Sequence, residues 1–136
     1  MKRCPVSSDA VVTGACGFVG RALVDCLLQK GQRVIAVDRP GRKERLPASD
    51  RLQFIGATSE LSGLPADVFY HLAWHGSAGE ARSDIWAQEA NICFTLEAVE
   101  QAARMGCKRF VFAGSISELE IREKTRQTDR IDPWDG

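Results

Sequence analysis

No apolar run in these 136 residues approaches the ~20 consecutive apolar positions of a membrane-spanning helix. Met1-Lys2-Arg3 opens like a secretory leader, but glycines break the next apolar stretch and no cleavage site is present. A dominant charge is missing too. The 18 basic and 18 acidic residues cancel, so neither a basic field for nucleic acid nor an acidic solvating arm is expected. The basic cluster over residues 39–45 is interrupted by Glu44 and contains Pro40-Gly41, the composition of a solvated loop. The five cysteines are odd in number and never at Cys-x-x-Cys spacing, which argues against a disulfide framework and against a zinc site. Cys26 and Cys93 fall in apolar helical patterns and are expected to pack as small hydrophobes. These absences leave a cytoplasmic protein without membrane, nucleic acid or metal among its partners. Its 44% hydrophobic content is enough for the core of one domain over residues 1–136.

What is present is concentrated near the start. Asp9-Ala-Val-Val-Thr13 is a short β-branched run that opens into Gly14, Gly17 and Gly20, and an apolar helical pattern comes at once after them. That strand–turn–helix setting turns a glycine pattern into a dinucleotide site. Gly14 allows a tight turn off the strand, Gly17 lets backbone amides approach a pyrophosphate, and Gly20 permits close helix packing. The amides of Phe18 and Val19 would then face the phosphates from a helix N-terminus, where the dipole favours negative charge. Cys16 lies inside this loop as a small side chain at a variable position. A second strand, residues 33–38, ends in Asp38, 18 residues beyond Gly20. An acidic side chain at about that spacing hydrogen-bonds the adenosine ribose of NAD and repels the extra phosphate of NADP. Arg39 and Arg42 beside it keep NADP possible as a cofactor.

Beyond this unit, strand and helix patterns alternate as in an α/β, doubly wound, Rossmann-like parallel sheet. Strands are expected over residues 9–13, 33–38, 52–56, 68–74 and 109–114, and helices over 18–30 and 83–105. The crossovers at 41–50 and 58–67 hold at most a turn or two of helix. From Glu118 the chain turns polar and reads as loop or frayed helix. Right-handed crossovers favour the strand order 3-2-1-4-5. A cofactor would lie across the carboxyl ends, where Gly14–Gly20, Asp38, Leu72–Trp74 and Ser115 converge.

Four segments in order carry a family resemblance: Thr13-Gly-Ala-Cys-Gly-Phe-Val-Gly20, Asp38, His71-Leu-Ala-Trp74 and Phe110-Val-Phe-Ala-Gly-Ser115. The chain resembles the N-terminal part of the extended short-chain dehydrogenases/reductases, the NAD-dependent epimerase/dehydratase family acting largely on nucleotide sugars. Asn91 falls where that family carries an asparagine on the helix before the fifth strand. The resemblance implies that Leu72, Ala73 and Trp74 line the ribose and nicotinamide half of NAD, with Arg39 beside the adenosine ribose. Trp74 replaces a more usual small residue; it either narrows the sugar pocket or anchors a loop. His71 is expected to be a packed strand histidine. Ser115 matches the family's catalytic serine, whose hydroxyl bonds the reacting substrate oxygen.

The family's Tyr-x-x-x-Lys pair has no counterpart in these residues. The single tyrosine, Tyr70, sits in the fourth strand. The resemblance therefore implies an incomplete sheet and the NAD-binding portion of a longer epimerase or reductase, homodimeric when whole. This portion is expected to bind cofactor without turnover. Ser115-Ile116-Ser117 stands where dehydratases of the family resemble Thr-Asp-Glu, which demotes dehydration. The alternative is a non-catalytic dinucleotide-sensing or scaffold module of the same fold.

Overall fold

A computed structural model describes residues 9–61 and 63–127. Five strands, β1 (Asp9–Thr13), β2 (Arg33–Val37), β3 (Leu52–Ile55), β4 (Val68–His71) and β5 (Arg109–Phe112), pair in parallel in the order β3-β2-β1-β4-β5. This is the expected doubly wound topology. Helices α1 (Phe18–Gln29), α2 (Ile85–Arg104) and α3 (Ile116–Gln127) are joined by short 3₁₀ turns at Pro40–Arg45, Thr58–Leu61 and Gly79–Ser83.

The two-residue period of the strands divides the core between the faces of the sheet. Val11, Ile35, Val37, Ile55 and Phe69 meet Ala98 and Ala102 on one stripe of α2 and Met105 at its C-cap. Ala10, Val12, Val34 and Ala36 meet Val24 and Leu27 of α1 on the other face. Both helical stripes keep i, i+3, i+4 spacing. Alanines at 98 and 102 bring α2 close to the sheet. Asp84 caps this helix, its carboxylate accepting hydrogen bonds from the amides of Trp86 and Ala87.

The strands stop earlier than their sequence patterns. β1 ends at Thr13, where Gly14 turns the chain away, and the ladder closes at Thr13↔Val37 on one side and Thr13↔His71 on the other. Asp38 and the 72–74 segment thus project beyond the sheet as loop, and β5 likewise stops opposite His71. Three expectations need correction. α2 begins at Ile85, not at 83, because Asp84 is its cap. Residues 116–127 form a helix where loop or frayed helix was expected from Glu118, because Ser115 and Glu118 build a cap there; the stretch beyond 127 lies outside the described residues. Cys26 and Cys93 are exposed, on the sides of α1 and α2 turned away from the sheet.

Candidate cofactor site and adjoining cavity

Each glycine of the first loop meets a different neighbour. Gly14 has φ +67°, and a Cβ there would lie 2.8 Å from the Leu72 carbonyl carbon and from the Ala73 amide nitrogen. The turn is therefore packed directly on the segment after β4. A Cβ on Gly20 would collide with the Gly14 carbonyl oxygen and come within 2.9 Å of the Ala15 backbone; the close approach is to the loop itself. Gly17 differs. Its backbone is extended (φ −74°, ψ 176°), and a Cβ would meet only the Gly14 oxygen, at 3.2 Å. The fold demands glycine at 14 and 20 far more than at 17.

Gly17 is also the N-cap of α1, and no side chain caps this helix. The first backbone bond of the helix runs from the Arg21 amide to the Gly17 carbonyl. The amides of Phe18, Val19 and Gly20 are the donors that every helix start leaves over, and Phe18 and Val19 are exposed. No acidic residue occupies the first turn. Such a start suits an anion. A dinucleotide pyrophosphate fits these residues: open donors, a cradle that a larger side chain at 17 would fill, and an acid nearby.

That acid is Asp38. One carboxylate oxygen accepts the Cys16 amide at 2.8 Å and the other accepts the Arg39 amide at 2.8 Å. The Arg42 guanidinium stands 3.8 Å away. The side chain is thus aimed at the loop by two backbone donors. Cys16 is buried, and burial first, then the Asp38 carboxylate, pushes its thiol pKa up. This is a packing cysteine and not an activated one.

At the carboxyl ends of β4 and β5, against α2, lies a cavity of about 660 Å³, walled by Leu72, Ala73, Trp74, Ile92, Phe112 and Ser115 among others. Trp74 is 55% exposed, so it walls the cavity and does not anchor the loop by burial. Asn91, only 1% exposed, accepts the His75 amide at 2.8 Å and donates to the His75 carbonyl at 2.7 Å. Its side chain is spent on that loop. Arg39, by contrast, is exposed.

Ser115 opens α3. Its hydroxyl oxygen accepts the Ser117 amide, and the Glu118 carboxylate returns to accept the Ser115 amide, both at 3.2 Å. This is a reciprocal capping arrangement of Ser-x-x-Glu type. The signal was present in the sequence at residues 115–118 and marks the helix start. The serine's own proton remains free to donate.

His71 is buried, and both ring nitrogens bond to hydroxyls: Nδ1 to Thr13 at 2.8 Å and Nε2 to Thr95 at 3.2 Å. Burial holds its pKa below the usual imidazole value, so the packed-histidine expectation stands. Among the described residues no cluster of three or more His, Cys, Asp or Glu could hold a metal ion, and no helix is long and apolar enough to cross a membrane.

Comparison with known proteins accords with this geometry. The family model of the NAD dependent epimerase/dehydratase family matches residues 10–133. UDP-glucose 4-epimerase of Mycolicibacterium smegmatis is 34% identical over 118 residues, covering 77% of this chain and 38% of the relative. UDP-glucuronic acid decarboxylase 1 of Arabidopsis thaliana is 36% identical over 116 residues, covering 80% and 26% respectively. Among solved structures, MoeE5 in complex with UDP-glucuronic acid and NAD superposes with a TM-score of 0.64 at 29% identity, over 79% of this chain and 36% of that one. The chain spans about a quarter to two fifths of the length of these proteins.

Proposed function

Because the chain belongs to the NAD dependent epimerase/dehydratase family, we propose that it is the NAD-binding portion of a cytoplasmic, homodimeric nucleotide-sugar epimerase or reductase. Gly17 carries the reading. It is the glycine of the loop whose missing Cβ the surrounding fold needs least, and it stands beside the open amides of Phe18 and Val19. Those amides and the glycine turn hold the pyrophosphate. Asp38, with Arg39 beside it, accepts the hydroxyls of the adenosine ribose. Leu72, Ala73 and Trp74 line the nicotinamide half, and Asn91 acts through the loop it pins at His75. When bound, NAD supplies the hydride acceptor. Ser115, at the mouth of the cavity, donates its hydroxyl proton in a hydrogen bond to the substrate oxygen. The nucleotide-sugar substrate class is supported by what the relatives are named for, UDP-glucose and UDP-glucuronic acid. Dimerisation is supported by the exposed apolar residues of α2, such as Trp86 and Phe94.

Calorimetric titration of NAD tests the reading. The chain binds NAD, and Gly17→Val weakens binding at least tenfold, about 1.4 kcal/mol, while the unfolding midpoint falls less than in Gly20→Val. Equal affinity of the two proteins, or no heat of binding with the unaltered chain, overturns it.

A further inference from the structure

We propose that His71 is a positioning residue that couples the glycine loop to the wall of the cavity through a single directed chain of hydrogen bonds. The direction is set by its two ends. The Ala73 amide can only donate, and it reaches the Thr13 hydroxyl oxygen at 3.4 Å. At the far end the Thr95 hydroxyl donates to the Asn91 carbonyl at 2.8 Å, an acceptor only. With its proton committed there, Thr95 must accept from His71 Nε2, which therefore carries the ring hydrogen. Nδ1 is left as an acceptor and takes the Thr13 hydroxyl proton. Every bond in the series then has one donor and one acceptor, with the imidazole neutral.

The chain continues at both ends into functional backbone. Thr13 is the residue before Gly14. Asn91 clamps His75 from both sides, and its side-chain amide also donates to Gln88 Oε1, while Gln88 Nε2 donates to the Ala81 carbonyl. The route thus runs from the last residue of β1, through a ring in β4, to the 75–81 loop at the cavity. The sheet ladder alone does not connect these places, because β4 ends at His71. Around the ring, Thr13 faces it from β1, Thr95 from α2 and Phe110 from β5, at 6.1 Å between centroids. None of the three is titratable. Buried chains of this kind are stiff when fully satisfied and lose that stiffness when one member is removed.

The coupling itself is independent of ligand. Its consequence for cofactor binding rests on the NAD reading above, so the test has two arms. In the first, amide hydrogen exchange of the ligand-free chain is compared for His71→Phe and His71→Gln. Phenylalanine keeps bulk and breaks both bonds, whereas glutamine retains a donor for Thr95 and an acceptor beside it. His71→Phe should speed exchange at Ala73 and at His75 together, at least tenfold, and His71→Gln should stay within about threefold of the unaltered chain. A Phe variant that leaves His75 unchanged, or a Gln variant indistinguishable from Phe, overturns the coupling. In the second arm NAD is added. Slower exchange in residues 14–20 accompanied by slower exchange at His75, the latter lost only in His71→Phe, extends the coupling to the bound state. Slowing confined to residues 14–20 limits the chain to a structural tie and overturns the proposed link to binding. No slowing at 14–20, with the first arm as expected, removes the NAD reading and leaves the coupling standing.

Discussion

Around Val12, Val24 and Ala36 the sheet is sealed by helix on one face and by neighbouring strands on both sides, whereas β5 leaves Val111 and Phe112 open, Phe112 59% exposed. Both regions are short parallel strands of similar composition, Val-Val-Thr in one and Phe-Val-Phe in the other. The difference lies in what surrounds them. β1 is the central strand, paired with β2 and β4; among the described residues β5 is an edge with a partner on one side only. α3, which follows it in the chain, is similarly open, with Ile116 and Leu119 exposed. The β1–α1–β2 unit is therefore a place where a Cβ added at Gly14 or Gly20 has nowhere to go, and the β5–α3 edge one where an exposed apolar side chain such as Leu119 can be exchanged at little cost.

The sharpest way to break that contrast is a pair of substitutions. Gly20→Val places a Cβ into the Gly14 carbonyl and the Ala15 backbone and should destabilise the chain by about 3 kcal/mol or more. Leu119→Ser on the exposed helix should change stability by no more than about 0.5 kcal/mol. Urea unfolding measures both, and similar midpoints would mean that the two regions are not different in kind.

Cofactor choice probes the sealed region more gently. Asp38 is aimed by the Cys16 and Arg39 amides, so NAD should be preferred over NADP by about 1–2 kcal/mol, roughly tenfold or more. In Asp38→Ala, with Arg39 and Arg42 intact, that preference should shrink or reverse. Parallel titrations with the two dinucleotides give the answer, and equal affinities in the unaltered chain would deprive Asp38 of the role.

Acidification separates a buried group from an exposed one by the pH at which each responds. His71 has a lowered pKa in the folded chain because burial disfavours its charged form. The unfolded chain binds that proton more readily, so the contribution is complete above about pH 6.5 and is lost as pH falls through that value toward the folded pKa. Asp67, at the open amino end of β4, is lowered by its hydrogen bond from Lys108. Its small contribution is complete above the ordinary value of 3.8 and lost only as pH falls below it. Unfolding midpoints tracked from pH 7.5 to 5.5 should fall in the unaltered chain and fall less in His71→Gln, while Lys108→Met should leave that slope unchanged.

The strand order, the glycine turn and the acid at the end of β2 were legible in the sequence because each depends on local spacing: β-branched runs, glycines three apart and one carboxylate at a fixed distance. The capping pair Ser115 and Glu118 was also written locally, though a helix beginning there runs against the polar character of residues 118–127. The tie of Thr13 to His71 and Thr95 was not legible, since it joins residues 58 and 24 positions apart through side chains that each read as ordinary strand or helix core. Nor was the exposure of Cys26 and Cys93, which depends on which stripe of each helix meets the sheet.

By itself the sequence determined the five strands, their parallel order and the glycine turn before α1, because backbone conformation and hydrophobic period are set by near neighbours. Tertiary structure alone decided that Gly20 packs on the loop, that Trp74 walls a cavity, and that His71 is buried between two hydroxyls. Those outcomes depend on which distant surfaces meet, and burial and hydrogen-bond direction exist only once they have met.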